Sequence, residues 1–470
     1  MRAILALLTL TLAVAVQASV PTAAIDEFIA TAMPETDTPG LAYAVVEDGT
    51  VHAEARGETL LGSGDKVTPD TPFLLGSISK SFTALAVMQL VEAGKVDLDA
   101  PISRYLSVFA DSPGKAITIR QLLGHTSGYS TLQGNDRDRD ANDSADALSR
   151  QVAAIAQRVP AQAAGTHWDY SNANYLILGA LIETVSGQEY AAYIEAHILR
   201  PIGMTHAFVA DGAAHAEMAR GHLPWFGTKT PLDGAGTDRT TAPAGGIVAS
   251  ANDMAKYLAV MMNGRDDVLS AAGKAQMLRP ASDASPYYGF GWGLDPEGGT
   301  VYHSGTSPGT ETLAQMRPAE KTGVIILINA GSGFGFGENA ALMNGIAARA
   351  LGLDTPAPDG RWGQKATFVT LALLPLLFIG CMLWAWFHRA ALRRKTGVAG
   401  AFSLWFPLVA MAAMAWVFVW LVPALFGTSP QALWHFAPDL TLALVASAVM
   451  GVVWAVWRLA LAYGGRATAG

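Results

Sequence analysis

The chain has 470 residues, 51% of them hydrophobic and 15% charged, and a net charge of −8. That acidic balance, with a pI of about 5.7, argues against a nucleic-acid partner. The 10 histidines show no ligand spacing, so no metal or other cofactor is implied, and one cysteine, Cys381, rules out an intramolecular disulfide.

A mean hydropathy of +0.28 is too high for a wholly soluble protein, and its source is localised. The first element reads as a secretory signal over residues 1–18. Arg2 is its basic end, Ala3 to Val16 its apolar core, and Val16-Gln17-Ala18 a small-residue cleavage site before Ser19. An uncleaved anchor is the alternative.

From residue 19 to 353 short β-like runs alternate with amphipathic helices, a length sufficient for a core of its own. Pro72-Phe73-Leu74-Leu75-Gly76 leads into an apolar helix carrying Phe82, Leu85, Ala86, Met88 and Leu90. Ser77-Ile78-Ser79-Lys80 stands at its start. Residues three apart share a helix face, so Lys80 can reach the Ser77 hydroxyl. A serine hydroxyl is a poor nucleophile until an adjacent base takes its proton. A lysine buried in an apolar helix without a partner is costly, which favours this reading over a capping serine beside a solvated lysine.

His125 reads as a structural residue tying its loop. Asp136 to Ser149 is polar and aperiodic, an exposed insertion leading into a helix. Tyr170-Ser171-Asn172 precedes a second apolar helix with Leu176, Ile177, Leu178, Leu181 and Ile182. Tyrosine titrates near ~10, and a neighbouring lysine ammonium is expected to lower that value, so Tyr170 and Lys80 together could relay the Ser77 proton. Asn172 offers a donor and an acceptor to a substrate amide. The other reading of this stretch is a helix start capped by Ser171 or Asn172.

Arg220 to Thr241 is rich in Gly and Pro and is expected to line the cleft. Gly299-Thr300-Val301-Tyr302 reads as a strand, followed by His303-Ser304-Gly305-Thr306, where small residues let a substrate backbone come close. Two Lys-Thr-Gly triplets are set aside: Lys321-Thr322-Gly323 as a hairpin turn, and Lys395-Thr396-Gly397 as a loop between membrane spans.

Residues 354–365 read as a linker and 366–470 as a membrane domain. Its apolar stretches are Ala366 to Phe387, Phe402 to Phe426, and about Leu440 to Trp457, each free of charge. Small residues at Gly380, Ala412, Ala413, Ala446, Ser447 and Gly451 would permit close packing of these helices. The first connecting loop carries Arg389, Arg393, Arg394 and Lys395, and the second, Gly427 to Asp439, carries no lysine or arginine. The positive-inside rule then puts the first loop and the C-terminus in the cytoplasm and the large domain outside.

In order, Ser77/Lys80, Tyr170/Asn172 and His303/Gly305 resemble the class C β-lactamase and penicillin-binding-protein-like serine hydrolases over about residues 22 to 353. The runs 96–102, 119–128, 245–250 and 288–293 share the likeness. The resemblance implies an α/β (α+β) domain, an antiparallel sheet flanked by helices with an all-α subdomain, followed here by three transmembrane helices. It implies an acyl-enzyme formed on Ser77, with Lys80 and Tyr170 managing protons. Asn172, His303, Gly305 and Thr306 would bind substrate, and the backbone N–H groups of Ser77 and Thr306 would form the oxyanion hole.

His303 departs from class C β-lactamases, whose third motif begins with lysine. The departure fits the peptidase and esterase branches better. The order of parts is similar to membrane-bound D-amino-acid peptidases of the colibactin-maturing type. The expected partners are therefore a lipid bilayer and a small-molecule or peptide substrate: an amide next to a D-residue, or alternatively a β-lactam or an ester. A penicillin-binding sensor is the non-enzymatic alternative. The expected location is the inner membrane of a bacterium, with the domain in the periplasm.

Overall fold

The computed structural model describes residues 22–135, 144–213, 215–234, 236–354 and 360–464. The expected signal segment, residues 136–143 of the insertion and 355–359 of the linker lie outside the described residues.

A six-stranded antiparallel sheet forms the base of the domain. Its strands are β1 (Gly40–Glu47), β2 (Thr50–Gly57), β3 (Gly293–Asp295), β4 (Thr300–Ser307), β5 (Thr310–Arg317) and β6 (Thr322–Ile328). They lie in the order β2-β1-β6-β5-β4-β3. Both faces of the central strands are covered, so these strands read as continuous apolar runs. Leu41, Tyr43 and Val45 of β1 and Val324, Ile326 and Ile328 of β6 face helices α1 (Thr22–Glu35) and α5 (Ala340–Leu351), through Ile25, Ile29, Leu342 and Ile346. Ala42, Ala44 and Val46 point to the larger core on the opposite face.

That core holds α2 (Ser79–Glu92) and α4 (Asn172–Ser186), with Phe82 stacked on Tyr257 at 4.0 Å. Every residue of α2 from Ser79 to Met88 is buried. Most of the helices lie between β2 and β3 in the chain, and the helix Ala251–Met262 among them packs directly on β1 and β6. Lys321-Thr322-Gly323 lies at the β5–β6 connection, as expected, with Lys321 in the left-handed region at φ +53°.

Among the described residues, three helices are long and apolar enough to cross a membrane: α6 (Trp362–Phe387), α7 (Gly397–Leu425) and α8 (Pro438–Tyr463). Each begins before the apolar stretch that marks it. α8 packs between the other two, with Ser447 Oγ donating to Leu371 O at 3.1 Å. A Cβ on Gly451 would lie 3.0 Å from Met411 Sδ and 3.2 Å from Phe378. Of the small residues that would permit close packing, Ser447 and Gly451 meet a neighbouring helix. Gly380, Ala412 and Ala413 instead lie on the outer surface. Helical phase decides which small residues meet a neighbour, and composition does not carry it.

Candidate active site

The site forms where the start of α2 meets β4. Gly76 takes φ +57°, a conformation that glycine adopts without steric cost, and opens the 3₁₀ turn Gly76–Ile78 that feeds α2. The turn is held on both sides. Leu75 N donates to Ile247 O at 2.8 Å, and Thr312 Oγ1 donates to Leu75 O at 2.7 Å. Gly305 of β4 lies so close that a Cβ there would fall 1.9 Å from Leu75 O, and a Cβ on Gly76 would fall 2.8 Å from Thr306 N. Two glycines thus let the Ser77 turn touch the strand carrying Thr306.

Lys80 is fully buried. Its Nζ lies 2.7 Å from Asn172 Oδ1, 2.7 Å from Ala244 O and 3.2 Å from Ser77 Oγ. The first two partners can only accept, whereas the serine hydroxyl can donate. A neutral amine satisfies all three with two N–H bonds and one lone pair. Burial holds the amine well below the usual lysine range, which favours that state.

Tyr170 precedes the Ser171 start of α4 and packs its ring 4.4 Å from His125. Lys80 Nζ lies over the ring, 4.9 Å from its centroid, rather than against the hydroxyl. The hydroxyl is buried without a hydrogen bond of ordinary geometry, although the adjacent Ser77 side chain favours its ionised form. Burial dominates and pushes the phenol above its ordinary value. The expectation that the lysine would lower it is therefore corrected: burial raises the phenol, and Lys80 meets the ring face rather than the hydroxyl.

Asn172 is the first residue of α4. Its Oδ1 accepts from Lys80, and its Nδ2 donates to Asn135 Oδ1 at 2.8 Å. Ser171 caps no N–H with its side chain; its hydroxyl donates to Ser130 O. His125 accepts from Ser171 N at 3.1 Å and lies 3.0 Å from Asn174 Nδ2, both at Nδ1, so it positions the Tyr170 segment.

His303 is buried on β4. Its Nδ1 lies 2.7 Å from Ser304 O, which can only accept, so Nδ1 carries a proton; Nε2 meets the Tyr288 hydroxyl at 3.0 Å. Burial is the larger cause that pushes its pKa down to about 3, and an ammonium at Lys80 would push it the same way. The imidazole is neutral at neutral pH. Thr306 side chains point to the exposed face of the strand, so its backbone is what meets the Gly76 turn.

Beside Tyr170 and His303 opens a cavity of about 350 Å³ walled by Trp168, Tyr287, Tyr288 and Tyr302. Among the described residues, no charged side chain lines it. The Gly/Pro-rich segment was expected at the cleft. Instead, Arg220, Gly221, Leu232 and Gly234 line a different cavity with Leu74 and Pro308. Among the described residues no cluster of potential metal ligands occurs.

The structure thus brings Ser77, Lys80, Tyr170, Asn172, His303, Gly305 and Thr306 into one site. It adds Tyr288, Asn135, Thr131 and the Ala244 carbonyl. Only Tyr288 had a signal in the sequence, within the Tyr-Gly-Phe-Gly-Trp-Gly run; the others are contacts across the fold.

Comparison with known proteins places the chain in a family. A profile of the family described as Beta-lactamase matches residues 25–348. The chain is 30% identical over 321 residues to penicillin-binding protein 4 of Amycolatopsis lactamdurans, covering 63% of this chain and 82% of that one. It is 32% identical over 268 residues to the putative penicillin-binding protein PbpX of Bacillus subtilis, covering 56% and 63%. Among solved structures, a penicillin-binding protein homologue from Pyrococcus abyssi superposes with TM-score 0.61 at 27% identity, covering 71% and 78%. A complex of SurE with D-Leu superposes with TM-score 0.58 at 26% identity, covering 72% and 77%.

Proposed function

The chain belongs to the beta-lactamase family and is a serine hydrolase; on that premise we propose that it is a membrane-anchored peptidase cleaving an amide next to a D-amino acid, with an uncharged, apolar leaving half. The observation that carries this reading is the Ser77/Lys80/Tyr170 set opening onto an aromatic cavity without a cation.

Ser77 Oγ attacks the carbonyl carbon as its proton passes to the neutral Lys80 amine. The backbone N–H groups of Ser77 and Thr306 receive the developing oxyanion. The proton held by Lys80 is then returned, with Tyr170 assisting, to the leaving nitrogen as the C–N bond breaks. Water then attacks the Ser77 ester, loses its proton to the same pair, and releases the acid.

Because Tyr170 serves the leaving group, the cavity beside it receives that half of the substrate. A terminal carboxylate would find no cation there, since His303 is neutral. An internal amide in a cell-wall peptide, or an exported N-acyl-D-amino-acid precursor, matches better than a free C-terminal D-residue or a β-lactam carboxylate. The D-preference is supported by the likeness to SurE, solved with D-Leu.

The spans and the basic Arg389–Lys395 loop support an extracytoplasmic domain on a bacterial inner membrane, with the C-terminus cytoplasmic. The test is mass-spectrometric cleavage of matched N-acyl peptides, D or L at the scissile residue and with a free acid or an aromatic amide beyond it. D-selective cleavage of the amide form, lost in Ser77→Ala, is expected. Equal cleavage of both configurations, or preference for the free acid, overturns the reading.

A further inference from the structure

The turn at Gly427, between α7 and α8, does not stand clear of the catalytic domain. Its carbonyl accepts from Asn135 Nδ2 at 2.8 Å. A Cβ on Gly427, which takes φ +65°, would lie 2.8 Å from Thr131 Cγ2. Thr131 and Asn135 are the two ends of the short helix α3 (Thr131–Asn135), and both ends reach the site.

At one end, Thr131 Oγ1 lies 2.5 Å from Tyr170 O and 2.8 Å from Asp169 Oδ1, and Thr131 N donates to that same carboxylate at 3.0 Å. Thr131 thus grips the backbone that presents the Tyr170 ring. At the other end runs a chain of direct bonds. Lys80 Nζ donates to Asn172 Oδ1, Asn172 Nδ2 donates to Asn135 Oδ1, and Asn135 Nδ2 donates to Gly427 O, at 2.7, 2.8 and 2.8 Å. Its direction is forced. The last partner is a carbonyl, which can only accept, so each amide must present its oxygen toward Lys80. The membrane bundle supplies the terminal acceptor.

A second contact keeps domain and bundle in register. Phe226 N donates to Asp439 Oδ2 at 3.1 Å, the Phe226 and Phe368 rings are 5.9 Å apart, and Phe334 meets Phe426, the residue before the turn, at 6.2 Å. The bundle is seated on the domain as well as tethered to it.

We propose that the Gly427 turn of the membrane bundle is a positioning element of the active site, holding Tyr170 and Asn172 against Lys80 through α3. Full reactivity of Ser77 then requires the bundle to be docked. The inference rests on Ser77 as nucleophile, but not on the D-peptide reading.

The space around Gly427 provides the test. In the full-length protein in detergent, Gly427→Ala places a methyl group against Thr131 Cγ2. Thr131→Ser removes that carbon and keeps the hydroxyl that grips Tyr170. With p-nitrophenyl acetate, Gly427→Ala is expected to lower kcat about tenfold with KM nearly unchanged, and to shift the acid limb of the pH profile. The double variant Gly427→Ala/Thr131→Ser is expected to recover to within about threefold of Thr131→Ser alone. Unchanged kcat in Gly427→Ala overturns the proposal. So does a loss of kcat that merely follows a lower melting temperature, with no shift of the acid limb and no recovery in the double variant. Ester turnover retained in Ser77→Ala would identify failure of the nucleophile assignment instead.

Discussion

Gly305→Ala tests the contact between the nucleophile turn and β4. The added methyl carbon would lie 1.9 Å from Leu75 O and 2.3 Å from Thr312 Oγ1. Ordinary contact begins at 3.4 Å, so turn and strand must separate by about 1.5 Å. Thr306 follows Gly305 directly, and its N–H moves with the strand. Misplacing catalytic geometry by about 1 Å costs on the order of 10²-fold, and losing an oxyanion donor about 10²–10³-fold. The expected loss in kcat is therefore about 100-fold, or ~2.7 kcal/mol in the barrier. Overpacking also costs ~1–3 kcal/mol of stability, so turnover must be read on protein shown to be folded by near-ultraviolet circular dichroism. The assay is steady-state hydrolysis of p-nitrophenyl acetate by full-length protein in detergent. A folded variant within about threefold of wild-type kcat refutes the view that this close approach sets the oxyanion site.

The pH profile of kcat/KM is expected to rise from the acid side as Lys80 loses its proton, at a pH well below lysine's ordinary ~10.4, because burial disfavours the ammonium. That limb should survive in His303→Gln, since His303 is already neutral down to about 3; its disappearance would assign the base to His303. The same histidine affects stability. Unfolded His303 takes a proton below ~6.5 and the folded residue only near 3, so its contribution is complete above 6.5 and is lost as pH falls between these values. The urea midpoint of wild type should drop more than that of His303→Gln from pH 7 to pH 4, and parallel curves would contradict the assignment.

His125→Phe leaves Ser171 N and Asn174 Nδ2 without their shared acceptor and should cost ~2–5 kcal/mol, read as a lower denaturant midpoint; an unchanged midpoint refutes the structural role. In the bundle, Gly451→Leu should lower the melting temperature in detergent while Gly380→Leu does not, because only Gly451 faces another helix; equal effects would contradict the packing.

The local pattern disclosed much of this protein. Ser77 and Lys80 are three residues apart on a helix, and that spacing alone puts them together. The β4 residues His303 to Thr306 and the hairpin turn at Lys321 were equally readable, because strands and turns follow nearest neighbours. The three apolar helices needed only length and composition. Their small-residue contacts did not follow, because helix phase, not residue size, separates Gly451 from Gly380.

What the tertiary structure decided concerns environment. The direction of the Tyr170 shift was set by burial of its hydroxyl, and His303 became neutral because the fold buried it against Tyr288 and Ser304. The chain from Lys80 to Gly427 joins residues nearly 350 positions apart, with no periodicity to announce it. Sequence alone determined which chemical groups are present and which lie within a turn of one another. Their charge states, and the contact of the Gly427 turn with Thr131 and Asn135, arise from desolvation and long-range contact, which exist only once the chain has folded.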